Sequence, residues 1–336
     1  MRMRGPQGGM TGKEIEEMTE QTNTEQYERM AQLYMKEKRY PEAIAVYRQL
    51  IRMKPDMDSF VLCLAWALKD NGEVEEAVAQ FEKLFQKELS RKLFTGFAYD
   101  ELVRLFRETR QYDRLVEVCE RAVAVQKKDV HLRHTLGDAY LRAGRHAEAL
   151  VIFEALAAEE PDMSVFHASV GGALIAAGRF DEAEASYRRA IENDFPGKEG
   201  MFLNKMGHAY MLAGAYGRAE SAFRRAAAVS GEEPIYRCDL GDALVMLGRV
   251  EEAFQAYGEA VGVNPDFEGT YYFRLGNRLM KENCAPEAAE AFRRAGAADP
   301  ANAFYKLSLA GALSACGRTG EAQAILETLR TPAGEP

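Results

Sequence analysis

Two histidines and an aspartate have the spacing of metal ligands on one helical face. His131 and His134 are three residues apart, and Asp138 follows four residues later. On a helix these intervals place the three side chains on the same side, where they could hold a metal ion with a further ligand from elsewhere. However, the HExxH pattern of helical zinc sites is absent, and open helical faces are commonly polar. We therefore favour a solvated polar face and predict no metal site.

The cysteines indicate neither redox nor metal chemistry. There are five, far apart and without a CxxC pair: Cys63, Cys119, Cys238, Cys284 and Cys316. An odd number at such spacing gives no disulfide framework, so each is expected to be a small buried or half-buried side chain. The N-terminal residues lack the apolar run of a signal peptide, and no stretch of about 18 apolar residues occurs. These features predict a cytoplasmic protein.

Motifs of common catalytic sites are also absent. The chain contains no GxxxxGK[ST] phosphate loop and no GxSxG nucleophile elbow. The segment PGKEG at residues 196–200 is typical of a turn and not of a nucleotide site. We therefore predict a non-catalytic protein that needs no cofactor.

The charge balance disfavours a nucleic-acid-binding protein. Among 336 residues, 52 are acidic and 43 are basic, which gives a formal net charge of −9. Phosphate contacts are made mainly by clustered lysine and arginine, so an excess of acid favours basic protein partners instead. A hydrophobic fraction of 47% and an aromatic fraction of 10% are typical of a chain that folds around a core.

A repeat of 34 residues organises the chain from Thr24 onward. Nine copies are separated by short insertions at 92–95, 198–199 and 268. The first 23 residues form a separate segment, predicted to be partly disordered and to contain at most a short helix from about Gly12. The copies of the repeat domain, 24–336, are about 24–57, 58–91, 96–129, 130–163, 164–197, 200–233, 234–267, 269–302 and 303–336.

Four positions of each copy have a nearly constant residue type. The eighth and twentieth are almost always small, as at Gly207 and Ala219, which lets two helices approach closely. The twenty-fourth is aromatic in seven copies, as at Phe223, and is predicted to fill the space between helices. The fifteenth is glycine in six copies, as at Gly214, and supplies the left-handed residue that ends a helix. Each copy is therefore predicted to be a helical hairpin with short turns, which leave little room for a catalytic site.

These positions resemble those of the tetratricopeptide repeat family. The fourth copy shows the pattern in LGDAYLRAGRHAEALVIFEALAAEEP at residues 136–161, and the likeness recurs over about nine tenths of the chain. The resemblance implies an all-α fold, a right-handed α-solenoid superhelix of about nine 34-residue helix-turn-helix units. It also implies that the first helix of each unit lines a concave groove.

In such a groove, partners would meet the first-helix positions that the repeat pattern leaves unconstrained. The single tryptophan occupies one of them and could either anchor a partner or pack against the next helix. Small residues around Gly172 would let a ligand backbone approach closely, and asparagine, methionine and phenylalanine could contact a bound segment. The candidate groove residues are Trp66, Arg104, His134, Asp138, Gly172, Asn204, Lys205, His208, Asp242, Phe273, Arg274 and Asn277.

We predict a non-catalytic scaffold or adaptor that binds a peptide or helix of a partner protein in this groove. The alternative is a chaperone or regulatory receptor that sequesters a secretory substrate, a signalling peptide or a small ligand. The lysine and asparagine pattern by which tetratricopeptide co-chaperones grip the end of a chaperone tail is absent, since Arg274 and Asn277 match only a fragment of it. The expected partner is a protein or peptide, not a nucleic acid or a membrane. The oligomeric state stays open, with a monomer slightly favoured.

Overall fold

The computed structural model describes residues 12–91 and 97–330, with side chains from residue 23 onward. These residues form eighteen α-helices and one short 3-10 helix, Pro265–Phe267, and contain no β-strand. Within each of the two units into which the chain divides, consecutive helices pack against each other, which confirms the predicted all-α class and is the arrangement of an α-solenoid. Within the same residues, no helix is long and apolar enough to cross a membrane. The predictions for residues 1–11, the insertion 92–95 and residues 331–336 lie outside this description.

The chain divides after Ala143 into two compact units, at a point inside the predicted fourth copy. The first unit contains α1 Gly12–Lys36, α2 Tyr40–Met53, α3 Asp58–Asp70, α4 Val74–Arg91, α5 Phe97–Glu108, α6 Tyr112–Val125 and α7 Val130–Arg142. The second contains α8 His146–Glu159, α9 Ser164–Ala176, α10 Phe180–Glu192, α11 Glu199–Leu212, α12 Tyr216–Val229, α13 Pro234–Met246, α14 Val250–Val263, α15 Glu268–Lys281, α16 Ala285–Ala298, α17 Ala303–Ala315 and α18 Thr319–Arg330. Odd-numbered helices are the first helices of the predicted copies, and even-numbered helices are the second.

The first helix begins well before the first predicted copy. Helix α1 runs without a break from Gly12 to Lys36, so the predicted N-terminal segment and the first copy share one helix. Between Lys13 and Lys36 the sequence has neither glycine nor proline. Nothing in the chain therefore ends the helix near residue 23.

A left-handed residue follows the first helix in all nine copies, which confirms the prediction for the six copies with glycine and for Asn283 and extends it to two more. At Gly178 the φ angle is 77°. The N–H of Gly178 donates to the carbonyl of Ile175, and the N–H of Arg179 donates to that of Leu174, which closes the end of α9. Three residues with side chains adopt the same conformation: Lys38, Arg110 and Asn283. The turn is thus a property of the hairpin, and it forms even where the residue type disfavours it.

In four hairpins of the second unit, the aromatic ring of the second helix packs directly on a glycine of the first helix. A Cβ atom on Gly207 would lie only 2.4 Å from the ring of Phe223, so no side chain fits there without moving the ring. Phe223 itself is 1% exposed. The same close contact pairs Gly171 with Tyr187, Gly241 with Tyr257, and Gly276 with Phe292. In these hairpins, glycine at the eighth position makes room for the ring at the twenty-fourth.

An arginine–glutamate pair that the sequence pattern did not predict marks the start of five second helices. Arg179 donates from Nε to Oε1 of Glu182 at 2.7 Å and from Nη2 to Oε2 at 2.6 Å. The hydrogen bonds from Arg179 lower the pKa of Glu182, whose charge lies in the first turn, where the helix dipole favours it. The equivalent pairs are Arg39–Glu42, Arg145–Glu148, Arg249–Glu252 and Arg318–Glu321.

Replacing Gly178 by alanine should lower the free energy of unfolding by about 1–2 kcal/mol, because a Cβ disfavours the left-handed conformation. Gly311 provides the matched control, since it lies inside α17 with nothing within 4 Å of an added Cβ. Gly311→Ala should stabilise the chain by up to about 1 kcal/mol through helix propensity. Urea unfolding followed by circular dichroism measures both effects, and changes of the same sign would contradict this explanation.

Replacing Phe223 by alanine should cost about 3–5 kcal/mol, because it leaves a cavity between α11 and α12. Since neighbouring hairpins supply most contacts, the loss should also separate the unfolding of this region from that of its neighbours. Phe304, which is 75% exposed, is the control, and Phe304→Ala should change stability by no more than about 0.5 kcal/mol. Calorimetric melts that are alike for the two variants would refute the packing role of the ring.

Candidate functional site

The candidate residues of the first unit lie on its first helices. Trp66 on α3 is half-buried, so its indole both packs in the unit and keeps an accessible part. Arg104 on α5 is exposed and donates to Glu101 at 2.5 Å, and Lys69 of α3 forms an ion pair with the same carboxylate at 3.6 Å. Glu101 thus links α3 to α5. His134 on α7 is half-buried.

Asp138, one member of the spacing that could bind a metal, is engaged by two arginines. Arg107 of α5 and Arg142 of α7 each donate to its Oδ2 at 2.9 Å. Among the described residues, no group of three or more histidine, cysteine, aspartate or glutamate side chains is arranged to hold a metal ion. Asp138 therefore acts as an acceptor between two first helices.

In the second unit, a buried carboxylate gathers side chains from neighbouring first helices. Asp239 on α13 is 3% exposed. Its Oδ2 accepts hydrogen bonds from Asn204 Nδ2 at 2.7 Å and from His208 Nε2 at 3.1 Å, both on α11. Its Oδ1 accepts from Arg274 Nη2 of α15 at 2.5 Å. One side chain therefore joins three helices whose bonded residues are 31 to 35 positions apart in sequence.

Asp242 extends this network by one helical step. It lies three residues after Asp239, so the two carboxylates share a face of α13. Its Oδ2 accepts from Arg274 Nη2 at 2.6 Å and from Nε at 3.2 Å, and its Oδ1 accepts from the hydroxyl of Tyr257 at 2.7 Å. The planar guanidinium of Arg274 can donate to both carboxylates at once. We refer to Asn204, His208, Asp239, Asp242, Tyr257 and Arg274 as the Asp239 cluster.

The environment of Asp239 keeps it ionised. Burial raises the pKa of this carboxyl, but hydrogen bonds from His208, Arg274 and Asn204, together with the charge of Arg274, outweigh burial. The net result is a pKa below the usual value of aspartate. At neutral pH the cluster therefore contains a buried negative charge that is fully bonded.

The Asp239 cluster changes the interpretation of several candidate residues. Asn204, Asp242 and Arg274 form hydrogen bonds with other side chains of the same unit. Their main role is therefore to hold the first helices of the hairpins in place. Asp239 was not among the candidates, although the sequence contains a signal for it. Asp239 and Arg274 occupy the sixth position of adjacent copies and have opposite charges, and such positions face each other when copies stack.

The remaining candidates of the second unit differ in how accessible they are. Lys205 and Asn277 are exposed, and the Nζ of Lys205 lies 5.5 Å from the centroid of the Phe202 ring. Phe273 is half-buried, and its ring contacts two others, Phe292 and Tyr305.

The small residues of α9 differ in burial. Gly172 is half-buried, and Ala168, one turn before it, is buried. Helix α9 packs against α11 as well as against its own hairpin partner α10. Ala168 is therefore not available to a partner, whereas Gly172 is partly accessible and Ala176 is exposed.

A pocket of about 400 Å³ lies beside the Asp239 cluster. His208, Asp239 and Asp242 form its polar wall, and the ring of His208 lies against that of Phe223 with centroids 5.1 Å apart. Leu212, which is 92% exposed, stands at the edge of the pocket. The other lining residues are Met211, Tyr216, Met246 and Arg278. We call the side of the second unit on which α9, α11, α13 and α15 lie next to each other the first-helix face.

Replacing Asp239 by asparagine should lower the free energy of unfolding by about 1–3 kcal/mol at pH 7, because buried donors lose a charged acceptor. The folded pKa of Asp239 is below its usual value, so the stabilisation by its charge is present above the unfolded pKa of about 3.9 and is lost as the pH falls through the folded pKa. The difference in the free energy of unfolding between the unchanged chain and Asp239→Asn should therefore become smaller as the pH falls from about 5 to about 2.

Urea midpoints measured across this pH range test the expectation. Asp162, which is exposed, is the control, and Asp162→Asn should show no comparable narrowing. A constant difference for Asp239→Asn from neutral to acid pH would contradict the role of its charge.

Comparisons with known proteins give relatives of low identity. Human Protein O-mannosyl-transferase TMTC1 is 26% identical over 164 residues, which cover 48% of this chain and 18% of that protein. The match thus spans less than a fifth of the length of this curated relative. A crystal structure of a tetratricopeptide repeat protein from Parabacteroides merdae is 14% identical, with a TM-score of 0.41, and the alignment covers 87% of this chain and 99% of that one. A crystal structure of MamA protein is 19% identical, with a TM-score of 0.36, over 52% of this chain and 100% of that one.

Family models match along most of the chain. One model of the tetratricopeptide repeat matches residues 29–88, 101–164 and 204–266, a second matches 140–196, and a third matches 303–328. The first of these alone covers more than half of the 336 residues. The helical hairpins and their left-handed turns occur along the same stretches. The chain belongs to the tetratricopeptide repeat family.

Proposed function

We propose that the chain is a non-catalytic scaffold that binds an extended segment or a helix of a partner protein on the first-helix face of its second unit. Its tetratricopeptide repeats support a role in protein interaction in general. The observation that carries the more specific proposal is the Asp239 cluster, which fixes three first helices beside an open pocket of about 400 Å³.

A surface whose side chains are already held in place favours binding, because little conformational entropy is lost when the partner binds. The cluster bonds α11, α13 and α15 through a side chain that is 3% exposed. Next to it, Met211 and Met246 offer flexible apolar contact, and Leu212 projects into solvent. Lys205 and Asn277 add exposed polar groups on the same helices. An apolar centre with a polar rim is the usual composition of a protein interface.

The bonding within the cluster is accounted for by its role in joining helices. Asp239 accepts hydrogen bonds on both of its oxygens, and His208 is bonded to it through Nε2. Both oxygens of this carboxylate are therefore engaged inside the unit. The name of the human relative describes a transferase, but the match spans only 18% of that protein, and we do not extend that activity to this chain. The alternative of a chaperone or regulatory receptor stays a prediction.

A variant of the first-helix face tests the proposal. It changes three exposed residues to serine and leaves the Asp239 cluster intact: Lys205→Ser, Leu212→Ser and Asn277→Ser. A matched variant changes three exposed residues of second helices: Val151→Ser, Arg188→Ser and Arg225→Ser. Both should keep the helical content of the unchanged chain, because surface substitutions alter stability by no more than about 0.5 kcal/mol.

The full chain and both variants are used to purify partners from the native cell extract, and each partner is then isolated and titrated by calorimetry. We expect the first-helix variant to weaken binding by at least about tenfold, since a few central residues dominate an interface. The second-helix variant should bind as the unchanged chain does. Binding that survives the first variant and is lost with the second would place the interface on the opposite side and refute the proposal.

A further inference from the structure

Most of the large apolar side chains that are exposed in the second unit lie along one edge of its hairpins. This edge consists of the segments that connect a second helix to the next first helix, each taken with two residues of either flanking helix. We call these segments the turn edge: 158–165, 191–200, 228–235, 262–269 and 297–304. Among the described residues of the unit, ten large apolar side chains are exposed, and six of them belong to the turn edge: Met163, Phe195, Val229, Ile235, Phe267 and Phe304.

Contacts between segments of neighbouring hairpins make the turn edge a connected surface. Ser164 donates from its hydroxyl to Oδ2 of Asp194 at 2.6 Å, which joins the first segment to the second. The third and fourth segments lead into α13 and α15, and these two helices pack against each other. Close approaches of a glycine to a side chain join the others: Gly200 to Ser230, and Gly269 to Tyr305.

The turn edge is strongly acidic. Its five segments contain eleven carboxylates and a single basic residue, Lys198. The opposite edge of the same hairpins, where a first helix leads into its own second helix, contains only three acidic and four basic residues when its five segments are bounded in the same way. Those segments are 175–181, 211–217, 245–251, 280–286 and 314–320. The acidic excess is therefore a property of the turn edge and not of both edges.

Most carboxylates of the turn edge are available to a partner. Eight of the eleven are exposed and form no ion pair with a described residue, among them Glu160, Glu232 and Asp266. Lys198 is itself paired with Asp194 at 3.4 Å, so it does not neutralise the others. Uncompensated charges of one sign on a surface attract ligands of the opposite sign. The turn edge therefore favours a cationic ligand.

The exposed aromatic rings narrow the kind of ligand further. Phe195 is 76% exposed and Phe304 is 75% exposed, and several large apolar side chains exposed together leave surface for a partner to cover. Such rings also attract the cations of lysine and arginine. Nucleic acids and anionic lipid surfaces carry phosphates, which an acidic edge repels. A protein segment that combines basic and apolar side chains fits both features.

We propose that the turn edge of the second unit binds a segment of a partner protein that is rich in lysine and arginine and has apolar side chains between them. Its cations pair with the exposed carboxylates, and its apolar side chains pack on Phe195, Phe267 and Phe304. This inference goes beyond the proposed function, because it adds a second surface that is made of turns and helix ends, whereas the first-helix face is made of helix sides.

Selection from a library of random twelve-residue peptides displayed on phage tests this chemistry with the full chain immobilised. An extended peptide of this length spans up to about 40 Å and can reach several neighbouring hairpins. We expect enrichment of peptides in which lysine or arginine stands beside leucine, methionine or phenylalanine. Enriched peptides are then synthesised and titrated by fluorescence polarisation, and they should bind the first-helix variant as they bind the unchanged chain.

A charge variant of the turn edge carries Glu160→Gln, Glu232→Gln and Asp266→Asn. The matched control removes the same number of charges from the opposite edge, through Asp181→Asn, Glu251→Gln and Glu282→Gln, which are all exposed. We expect the charge variant to weaken peptide binding at least about tenfold and the control less than about twofold, since only charges close to the ligand are unscreened at physiological salt. Equal losses would show a general attraction of an acidic chain for cations and would overturn the inference.

An apolar variant, Phe195→Ser with Phe304→Ser, tests the contribution of the rings. Its control is Val151→Ser with Leu247→Ser, two exposed apolar residues outside the turn edge. The apolar variant should weaken binding at least about fivefold, because large aromatic side chains dominate interfaces, and the control should bind as the unchanged chain does. Circular dichroism of all four variants should match that of the unchanged chain. Binding that is insensitive to the apolar variant would overturn the role of the rings and with it the inference.

Other results would also overturn the inference while leaving the proposed function standing. They are enrichment of acidic peptides, enrichment of apolar peptides without a basic residue, or no peptide that binds the first-helix variant. A membrane surface is tested by sedimentation of the full chain with vesicles of phosphatidylcholine and phosphatidylserine. Sedimentation that is lost with the apolar variant would assign the turn edge to lipid instead of a protein segment.

Discussion

The contact between an aromatic ring and a helix backbone within four hairpins of the second unit is the constraint on which the rest of this site depends. The ring of Phe223 lies so close to Gly207 that no Cβ fits between them, and equivalent pairs recur in three further hairpins of the second unit. This contact sets how closely the first and second helices approach. Where alanine takes the place of glycine, as at Ala31 and Ala65, it is fully buried. The two helices of such a hairpin are therefore closely packed before any contact between hairpins is considered.

Tyr257 connects this packing constraint to the polar cluster of the first-helix face. Its ring packs on Gly241, and its hydroxyl donates to Asp242. Burial raises the pKa of this hydroxyl well above its usual value, so it remains a donor at any physiological pH. A residue that the repeat requires for packing thereby also orients a carboxylate of the cluster. Arg274 then joins that carboxylate to Asp239 across neighbouring hairpins.

The cluster determines which groups remain for a partner. Asn204, Asp242 and Arg274 are engaged with one another through Asp239 and its neighbours, whereas Lys205, Asn277 and Leu212 are exposed. The groups that a ligand can contact are therefore those that form no hydrogen bond within the unit. They are fewer than the polar residues that the sequence places on these helices.

The sequence by itself determined the hairpins, their turns and the helices that carry the candidate residues, because that information is local. The positions for small residues, aromatic rings and turn glycines recur every 34 residues. Each of these residues shapes the hairpin of its own copy. The left-handed backbone at Lys38 and Arg110 and the burial of Asp239 were decided by tertiary structure. Bonds such as that between Asp239 and Arg274 join residues 35 positions apart, and they depend on the distance and rotation between packed helices. Residue type and spacing can indicate which positions face each other, but only the packing of the helices decides which of those side chains bond and which stay open to a partner.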